Sequence, residues 1–276
     1  MDSRQRDIAV ISNGRASAAA MDLIAEEPLS IRVQGNPYAV TMRTPGDEKA
    51  HVAGFCLAEG IVDTPDDITG LAFCDGEDTN VVTVTLTATR QEQVADHLDR
   101  RTYISQTSCG ICGKTIVEDL VQSLSPVADG PPLDGKRALE CLLRLSDHQP
   151  LRAKTRAAHG AAIYDLDFAL LSAAEDVGRH NALDKAVGRL FLDDRLDRAQ
   201  LLTLSSRISY ELVQKAARAR IPVVLAISPP HGTGRPTGRG PEYDPGVAGK
   251  GRQPYGLLHP PAAGMAGLKP AVAVCQ

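Results

Sequence analysis

Between residues 161 and 227 the chain alternates short apolar runs with segments of helical period, and this alternation restricts the fold more than any other feature. Strands are expected at 161–164, 168–172, 201–204 and 223–227, helices at 181–191 and 207–218, and a further helix at 136–145 ahead of them. A βαβα order leaves few ways to bury both faces of a sheet. A parallel or mixed sheet covered by helices is expected, so the class is α/β.

The first half reads differently. Residues 28–44 form two alternating runs joined through Gln34-Gly35-Asn36, the pattern of a hairpin. Pro45-Gly46-Asp47 then opens a helix that runs through His51, Val52, Phe55 and Cys56 until Gly60 ends it. Residues 69–74 and 80–87 are expected to be strands and 91–101 a short amphipathic helix. Proline and glycine concentrate at 125–135 and mark a boundary. Three segments are thus expected: a smaller α+β module at 1–132, an α/β domain at 133–228, and a tail at 229–276. That tail holds 9 of the 18 prolines and 10 of the 24 glycines and keeps no periodicity, so no regular structure is expected in it.

With 30 basic and 34 acidic residues the net charge is −4, and no basic stripe interleaved with aromatics occurs, which argues against nucleic acid as a partner. No run approaches the ~20 apolar residues of a membrane span. A cytoplasmic protein is expected. Of the six cysteines, at 56, 74, 109, 112, 141 and 275, four are isolated, which does not suit a disulfide framework. Cys56 and Cys141 lie in apolar helical patterns and read as core residues.

The close pair lies in Thr107-Ser-Cys-Gly-Ile-Cys-Gly-Lys114, just ahead of helically spaced Ile116, Val117, Leu120, Val121 and Leu124. A helix N-terminus and the Lys114 ammonium both favour thiolate; a shift from about 8.5 to about 7 would raise the reactive fraction at neutral pH to roughly half. The pair alone leaves four uses open: half a zinc site, a redox dithiol, a sulfur relay or structure. Zinc would need further ligands such as Cys74 or His159, and a thioredoxin-like site lacks its preceding strand. A second block, Glu175-Asp-Val-Gly-Arg-His-Asn-Ala-Leu-Asp-Lys185, spans a strand exit and a helix start, where open α/β sheets bind ligands. Its plainer reading is a solvated capping region with an i,i+4 pair between His180 and Asp184. A third block, Leu204-Ser-Ser-Arg-Ile-Ser-Tyr-Glu211, repeats the strand-to-helix geometry with hydroxyls and Arg207.

These three blocks in order, with Thr44-Pro-Gly-Asp and Glu59-Gly-Ile ahead of them, resemble the FdhD family of formate dehydrogenase accessory proteins over roughly residues 26–228. The resemblance implies a sulfurtransferase, a sulfur carrier taking sulfane sulfur from a cysteine desulfurase as a cysteine persulfide. It delivers that sulfur to the molybdenum bis(molybdopterin guanine dinucleotide) cofactor of formate dehydrogenase. It further implies a cytidine deaminase-like α/β/α second half, a homodimer, and no tightly bound cofactor or metal. By position, Cys109 matches the persulfide-bearing cysteine and Cys112 its helper. Arg179, His180, Ser206 and Arg207 are the candidates for holding the cofactor's phosphates or guanine. Deaminase chemistry is not expected, because His159-Gly-Ala161 lacks the glutamate of H-x-E and Ser108 stands where P-C-x-x-C has proline. The rival readings are a non-catalytic cofactor-binding scaffold with a structural or zinc-bound cysteine pair, and a dithiol oxidoreductase.

The pattern breaks after residue 228, where the family continues with a helix, a strand and a Gly/Arg-containing segment. Back-translation with free synonymous choice, shifted by one base from Pro230, yields a family-like ending. A frameshift near residue 230 is therefore expected, in the gene or in its sequencing, and a chain with this ending is expected to accept sulfur at Cys109 while delivering it poorly. Resequencing the gene checks this: bases that encode no family-like ending in the shifted frame would reject it.

Overall fold

The computed structural model describes residues 2–12, 15–73, 79–101, 127, 132–228 and 271–274. The chain opens with a two-stranded antiparallel ribbon, β1 (Ser3–Ser12) and β2 (Arg15–Ile24). A hairpin follows, β3 (Glu27–Val33) and β4 (Asn36–Arg43), turned by Gln34 and Gly35, both at positive φ as a two-residue hairpin turn requires. Helix α1 (Glu48–Glu59) starts after Asp47 and stops at Gly60, which is left-handed at φ 77°. Strands β5 (Ile68–Phe73) and β6 (Val81–Leu86) complete a sheet of order β4-β3-β6-β5, and α2 (Ala88–Arg101) follows.

Helix α3 (Gly135–Leu143) is capped by Asp134, whose carboxylate accepts from the Lys136 and Arg137 amides. After the short α4 (Pro150–Thr155) come β7 (His159–Tyr164), β8 (Leu170–Asp176), α5 (Arg179–Leu192), β9 (Leu201–Arg207), α6 (Tyr210–Arg218) and β10 (Val223–Ser228). With β11 (Ala271–Val274) at its edge, the second sheet has the order β11-β10-β9-β7-β8, with β7 antiparallel to both neighbours and β9, β10 and β11 parallel. The protein is therefore α/β with a mixed sheet.

Alternating residues of this sheet divide its faces. Ala162, Tyr164, Leu201 and Leu225 pack with Ala138, Leu142 and Leu145 of α3 and the turn after it. Ala161, Ile163, Leu202, Leu204 and Val224 join a larger core with Leu183, Val187 and Leu190 of α5, Val52 and Phe55 of α1, and Leu29, Ile31 and Val84 of the first sheet. The two sheets share that core. Helices α1 and α5 meet almost backbone to backbone: a Cβ at Gly54 would run into the Asp184 carbonyl and one at Gly188 into the Ala50 carbonyl. Glycine is the only residue that permits this approach.

Most expected elements are present with shifted ends. The strand expected at 168–172 is β8 at 170–176, because Asp165 draws the amides of Asp167 and Ala169 into a tight turn and Phe168 takes φ 64°. The helix expected from residue 207 starts at Tyr210, since β9 continues to Arg207. Three features have no counterpart in the sequence reading. One is the β1–β2 ribbon and another is α4. The third is β11 (Ala271–Val274), which pairs with β10 inside the segment where no regular element is expected.

The Gly188→Ala variant is expected to lose about 1–3 kcal/mol, because the new methyl must displace α1 backbone. Urea unfolding with an unchanged m-value and a lower midpoint would report it.

Candidate functional site

The amino end of β7 and the carboxyl ends of β8, β9 and β10 lie at one end of the second sheet, as the pairings His159 with Asp176, Ala161 with Leu204, and Ser228 with Arg207 fix. Two strand-to-helix connections open there. The first leads from Asp176 through Val177-Gly178 into Arg179 at the start of α5; the second leads from Arg207 through Ile208-Ser209 into Tyr210 at the start of α6. Crevices of this kind bind ligands because strand ends and helix N-termini converge on them.

The residues facing this end are mostly cationic or polar. His180 Nε2 lies 2.8 Å from Glu211 Oε2 and 3.5 Å from Ser209 Oγ. The hydrogen bond from His180 holds the Glu211 carboxyl below its usual range against the opposing effect of burial, helped by the charges of His180, Lys215 and Arg179. Arg179 is half-buried and Arg207 exposed; Ser206 is buried with its hydroxyl on the Arg207 carbonyl at 3.1 Å. His159 opens β7, and its Nδ1 is buried without a partner among the described residues. Burial pushes its imidazole below the usual value, and Arg179, Arg152 and His180 add to that shift. The arrangement can hold an anion: two arginines, two imidazoles and hydroxyls at helix starts.

The remainder of the Glu175–Lys185 block points inward. Asp176 is fully buried; its carboxylate accepts from the Thr44 amide at 3.0 Å, the Gly178 amide at 2.8 Å and Asn181 Nδ2 at 2.9 Å, and pairs with Lys185 Nζ at 2.7 Å. Lys185 also donates to the Thr44 carbonyl at 2.7 Å, and the Val177 amide donates to Thr44 Oγ1 at 3.0 Å. Asn181 Nδ2 donates to the Met42 carbonyl at 2.7 Å. These bonds join the exit of β4 to the start of α5. Glu175 serves elsewhere, accepting from the Leu151 and Arg152 amides at the start of α4.

An i,i+4 pair between His180 and Asp184 does not form. Both residues face α6, where partners of opposite charge lie in matching order: His180 meets Glu211, and Asp184 takes two bonds of 2.8 Å from Lys215 Nζ. A further buried group completes the joint. Arg43, fully buried, pairs with Glu48 at 3.1 Å and Glu27 at 3.5 Å and donates to Asn80 Oδ1 at 2.9 Å. His51 on α1 is also fully buried, and neither ring nitrogen has a partner at hydrogen-bond geometry among the described residues. Burial drives its imidazole well below the usual value; Lys185, Lys215 and Arg43 reinforce this, and the neighbouring Asn181 side chain opposes it only in part.

The structure brings Arg179, His180, Ser206 and Arg207 to one end of the sheet; Arg179 and His180 open α5 as expected, whereas Ser206 and Arg207, expected between a strand and a helix starting at 207, are the last residues of β9. Sequence reasoning missed His159 and Arg152 as members of this neighbourhood, and it had Glu211 in the third block without its pairing to His180, which the packing of α6 on α5 supplies. Cys109 and Cys112, and also Cys74 and Cys275, lie outside the described residues. Cys56 is fully buried, and burial pushes its thiol far up; Cys141 is buried with its thiol raised for the same reason. Among the described residues no group of three or more His, Cys, Asp or Glu is arranged to hold a metal ion, and no helix is long and apolar enough to cross a membrane.

Fold and site together define an α/β protein that gathers arginines, imidazoles and hydroxyls at one end of its mixed sheet, buttressed by a smaller sheet through a buried polar joint. The chain belongs to the FdhD/NarQ family, whose sequence model matches residues 24–238. It is 41% identical over 241 residues to a sulfur carrier protein FdhD of Streptomyces coelicolor, covering 83% of this chain and 84% of that one. A sulfur carrier protein FdhD of Mycobacterium tuberculosis is 40% identical over 222 residues, covering 75% and 79%. A crystal structure described as a formate dehydrogenase accessory protein from Desulfotalea psychrophila superposes with a TM-score of 0.66 at 20% identity, over 84% of this chain and 86% of that one. That likeness concerns the fold.

The buried imidazole gives the protein an acid limb. The folded chain keeps His51 neutral, whereas the unfolded chain protonates it below about pH 6.5, so stability falls as pH drops through that value. The variant His51→Leu should flatten the dependence of the urea midpoint on pH between about 7 and 5. An unchanged slope would show that His51 does not contribute to it.

Proposed function

We propose that this protein is a sulfur carrier for formate dehydrogenase maturation, accepting sulfur on Cys109 and handing it to the enzyme's molybdenum bis(molybdopterin guanine dinucleotide) cofactor. The observation that carries this reading is that all three blocks, from Cys109 to Glu211, fall inside the residues matched by the FdhD/NarQ family, and relatives about 40% identical are sulfur carrier proteins by name.

The acceptance step is thiolate exchange. The Cys109 thiolate attacks the outer sulfur of a cysteine desulfurase persulfide; a new S–S bond forms at Cys109, the donor's S–S bond breaks, and the donor leaves as thiolate. No net oxidant is needed, since the sulfane sulfur keeps its oxidation level. Cys112, three residues on, assists by activating Cys109 or relaying the sulfur. The crevice supplies the other half. The cofactor is an anionic dinucleotide and enters as a substrate, and Arg179, His180, Ser206 and Arg207 contact its phosphates or guanine. The half-buried Arg179 and the Nδ1 of His159, buried without a partner among the described residues, support this use.

The same reading takes residues 133–228 as a cytidine deaminase-like domain next to an α+β module at 1–132 and a tail at 229–276. Its support is the strand order, in which β7 runs antiparallel between β8 and β9 and the parallel strands continue outward. The protein works in the cytoplasm, with a cysteine desulfurase as donor and formate dehydrogenase as client.

Incubation with desulfurase and cysteine should add one sulfur to the intact mass of the wild-type chain and none to the Cys109→Ala variant. In a host lacking its own carrier, that variant in a family-like full-length version should leave formate oxidation at background. Undiminished formate oxidation would overturn the proposal, and bound zinc without any sulfur adduct would favour the scaffold reading.

A further inference from the structure

One residue from the half built on the first sheet reaches the strand exit that carries the crevice. Thr44, buried just after β4, makes three bonds there: its amide donates to Asp176 Oδ2 at 3.0 Å, its carbonyl accepts from Lys185 Nζ at 2.7 Å, and its hydroxyl oxygen accepts from the Val177 amide at 3.0 Å. The first two use backbone groups, which almost any residue could supply. The third needs a side-chain acceptor. Neighbouring residues follow the same course along α5: the Met42 carbonyl accepts from Asn181 Nδ2 at 2.7 Å, Thr41 Oγ1 donates to Asn181 Oδ1 at 3.3 Å, and Asp47 pairs with Arg189 about two turns further on.

Val177 and Gly178 are the whole connection between β8 and α5, so their geometry decides where the first turn of α5 points. Both of its amides are engaged, Val177 by the Thr44 hydroxyl and Gly178 by Asp176 Oδ1 at 2.8 Å. The connection is also closely covered, since a Cβ at Gly178 would lie 2.8 Å from Asn181 Nδ2. A part-buried amide that loses its acceptor is unfavourable, and the connection would turn to find another. Arg179 and His180, next in sequence, would move with it.

We propose that Thr44 is a positioning residue for the crevice: its hydroxyl, supplied by the other half of the protein, sets the Val177-Gly178 connection so that Arg179 and His180 meet the ligand's anionic groups in a prepared geometry. The inference rests on the reading of the crevice as the cofactor site. Threonine suits the role, because a β-branched side chain has few rotamers and both backbone groups of Thr44 are already tied, so its oxygen has little freedom to leave the Val177 amide. A site whose charged groups are held by a supporting shell does not have to be ordered by the ligand. Where only a fraction of chains has the connection in place, the apparent affinity falls by that fraction.

Calorimetric titration of the full chain with inorganic pyrophosphate tests the inference. Thr44→Val keeps the shape and both backbone bonds but leaves the Val177 amide without its acceptor, and it should bind about tenfold more weakly than the wild type, as when one chain in ten has the connection in place. Thr44→Ser keeps the oxygen and should stay within about twofold. Val84→Ala, a truncation in the core of the first sheet, controls for stability: it should lower the urea midpoint and leave the affinity unchanged. Without ligand, hydrogen exchange at the amides of residues 177–180 should quicken in Thr44→Val and not in Thr44→Ser. Equal affinity of the wild type and Thr44→Val, a loss in Val84→Ala as large as that in Thr44→Val, or unchanged exchange at residues 177–180 would each overturn the role of Thr44 while leaving the crevice assignment standing. A wild-type chain that binds no pyrophosphate would instead overturn that assignment, and this inference with it.

Discussion

The ion pair between Asp176 and Lys185, closed on the backbone of Thr44, is the contact on which the rest of the architecture depends. Both charges are almost wholly removed from water, which is unfavourable unless every remaining donor and acceptor is used. Here the use is nearly complete. One carboxylate oxygen takes the Thr44 amide and Lys185, and the other takes the Gly178 amide and Asn181. Removing one partner would strand a buried charge, at about 3–5 kcal/mol. The joint thereby fixes the start of α5 against the exit of β4 more narrowly than apolar packing could, since oil-like contacts tolerate sliding and a saturated polar network does not.

Glycine makes that network reachable. Lys185 can meet Thr44 only because α1 and α5 approach until Gly54 and Gly188 touch opposing carbonyls. The same approach buries His51 and leaves it neutral among three cations, so the core accepts an unpaired imidazole at the centre of its joint. Charge pairing continues outward along the contact of α5 and α6, from Asp184 with Lys215 in the interior to His180 with Glu211 at the crevice. A single ladder thus connects the buried joint with the first turn of α5, where Arg179 and His180 sit.

How far the sequence discloses this depends on whether the information is local. The Gln34-Gly35 turn, the Gly60 stop and the βαβα alternation are local, and each agrees with the structure to within a few residues. The Glu175–Lys185 block shows the limit of such reading. Spacing places all its polar residues near a strand exit, but which of them turn inward depends on Thr44, more than a hundred positions away. Asn181, Asp184 and Lys185 at i, i+3 and i+4 share one helix face, a signal that could have separated them from Arg179. Nothing local could have brought His159 to this end of the sheet or paired Glu211 with His180, because sheet pairing places the first and helix packing the second. The β1–β2 ribbon eluded the reading for another cause: its apolar residues fall on both faces, which removes the alternation by which strands are recognised.

Under the proposed function, a chain with net charge −4 offers an anionic dinucleotide no net long-range attraction, and its capture would depend on charges placed within a few ångströms of it. Position then matters more than number. Arg179 belongs to the first turn of α5, where unpaired backbone N–H groups add to its charge, and the joint holds that turn by Gly178 and Asn181, immediately on either side of Arg179 and His180. Glu211 engages the Nε2 of His180 and so fixes the orientation of that ring. The inward half of the block is therefore what gives the outward half a fixed geometry: Arg179 and His180 at the start of α5 are held in place because their neighbours in sequence bond to the other half of the protein.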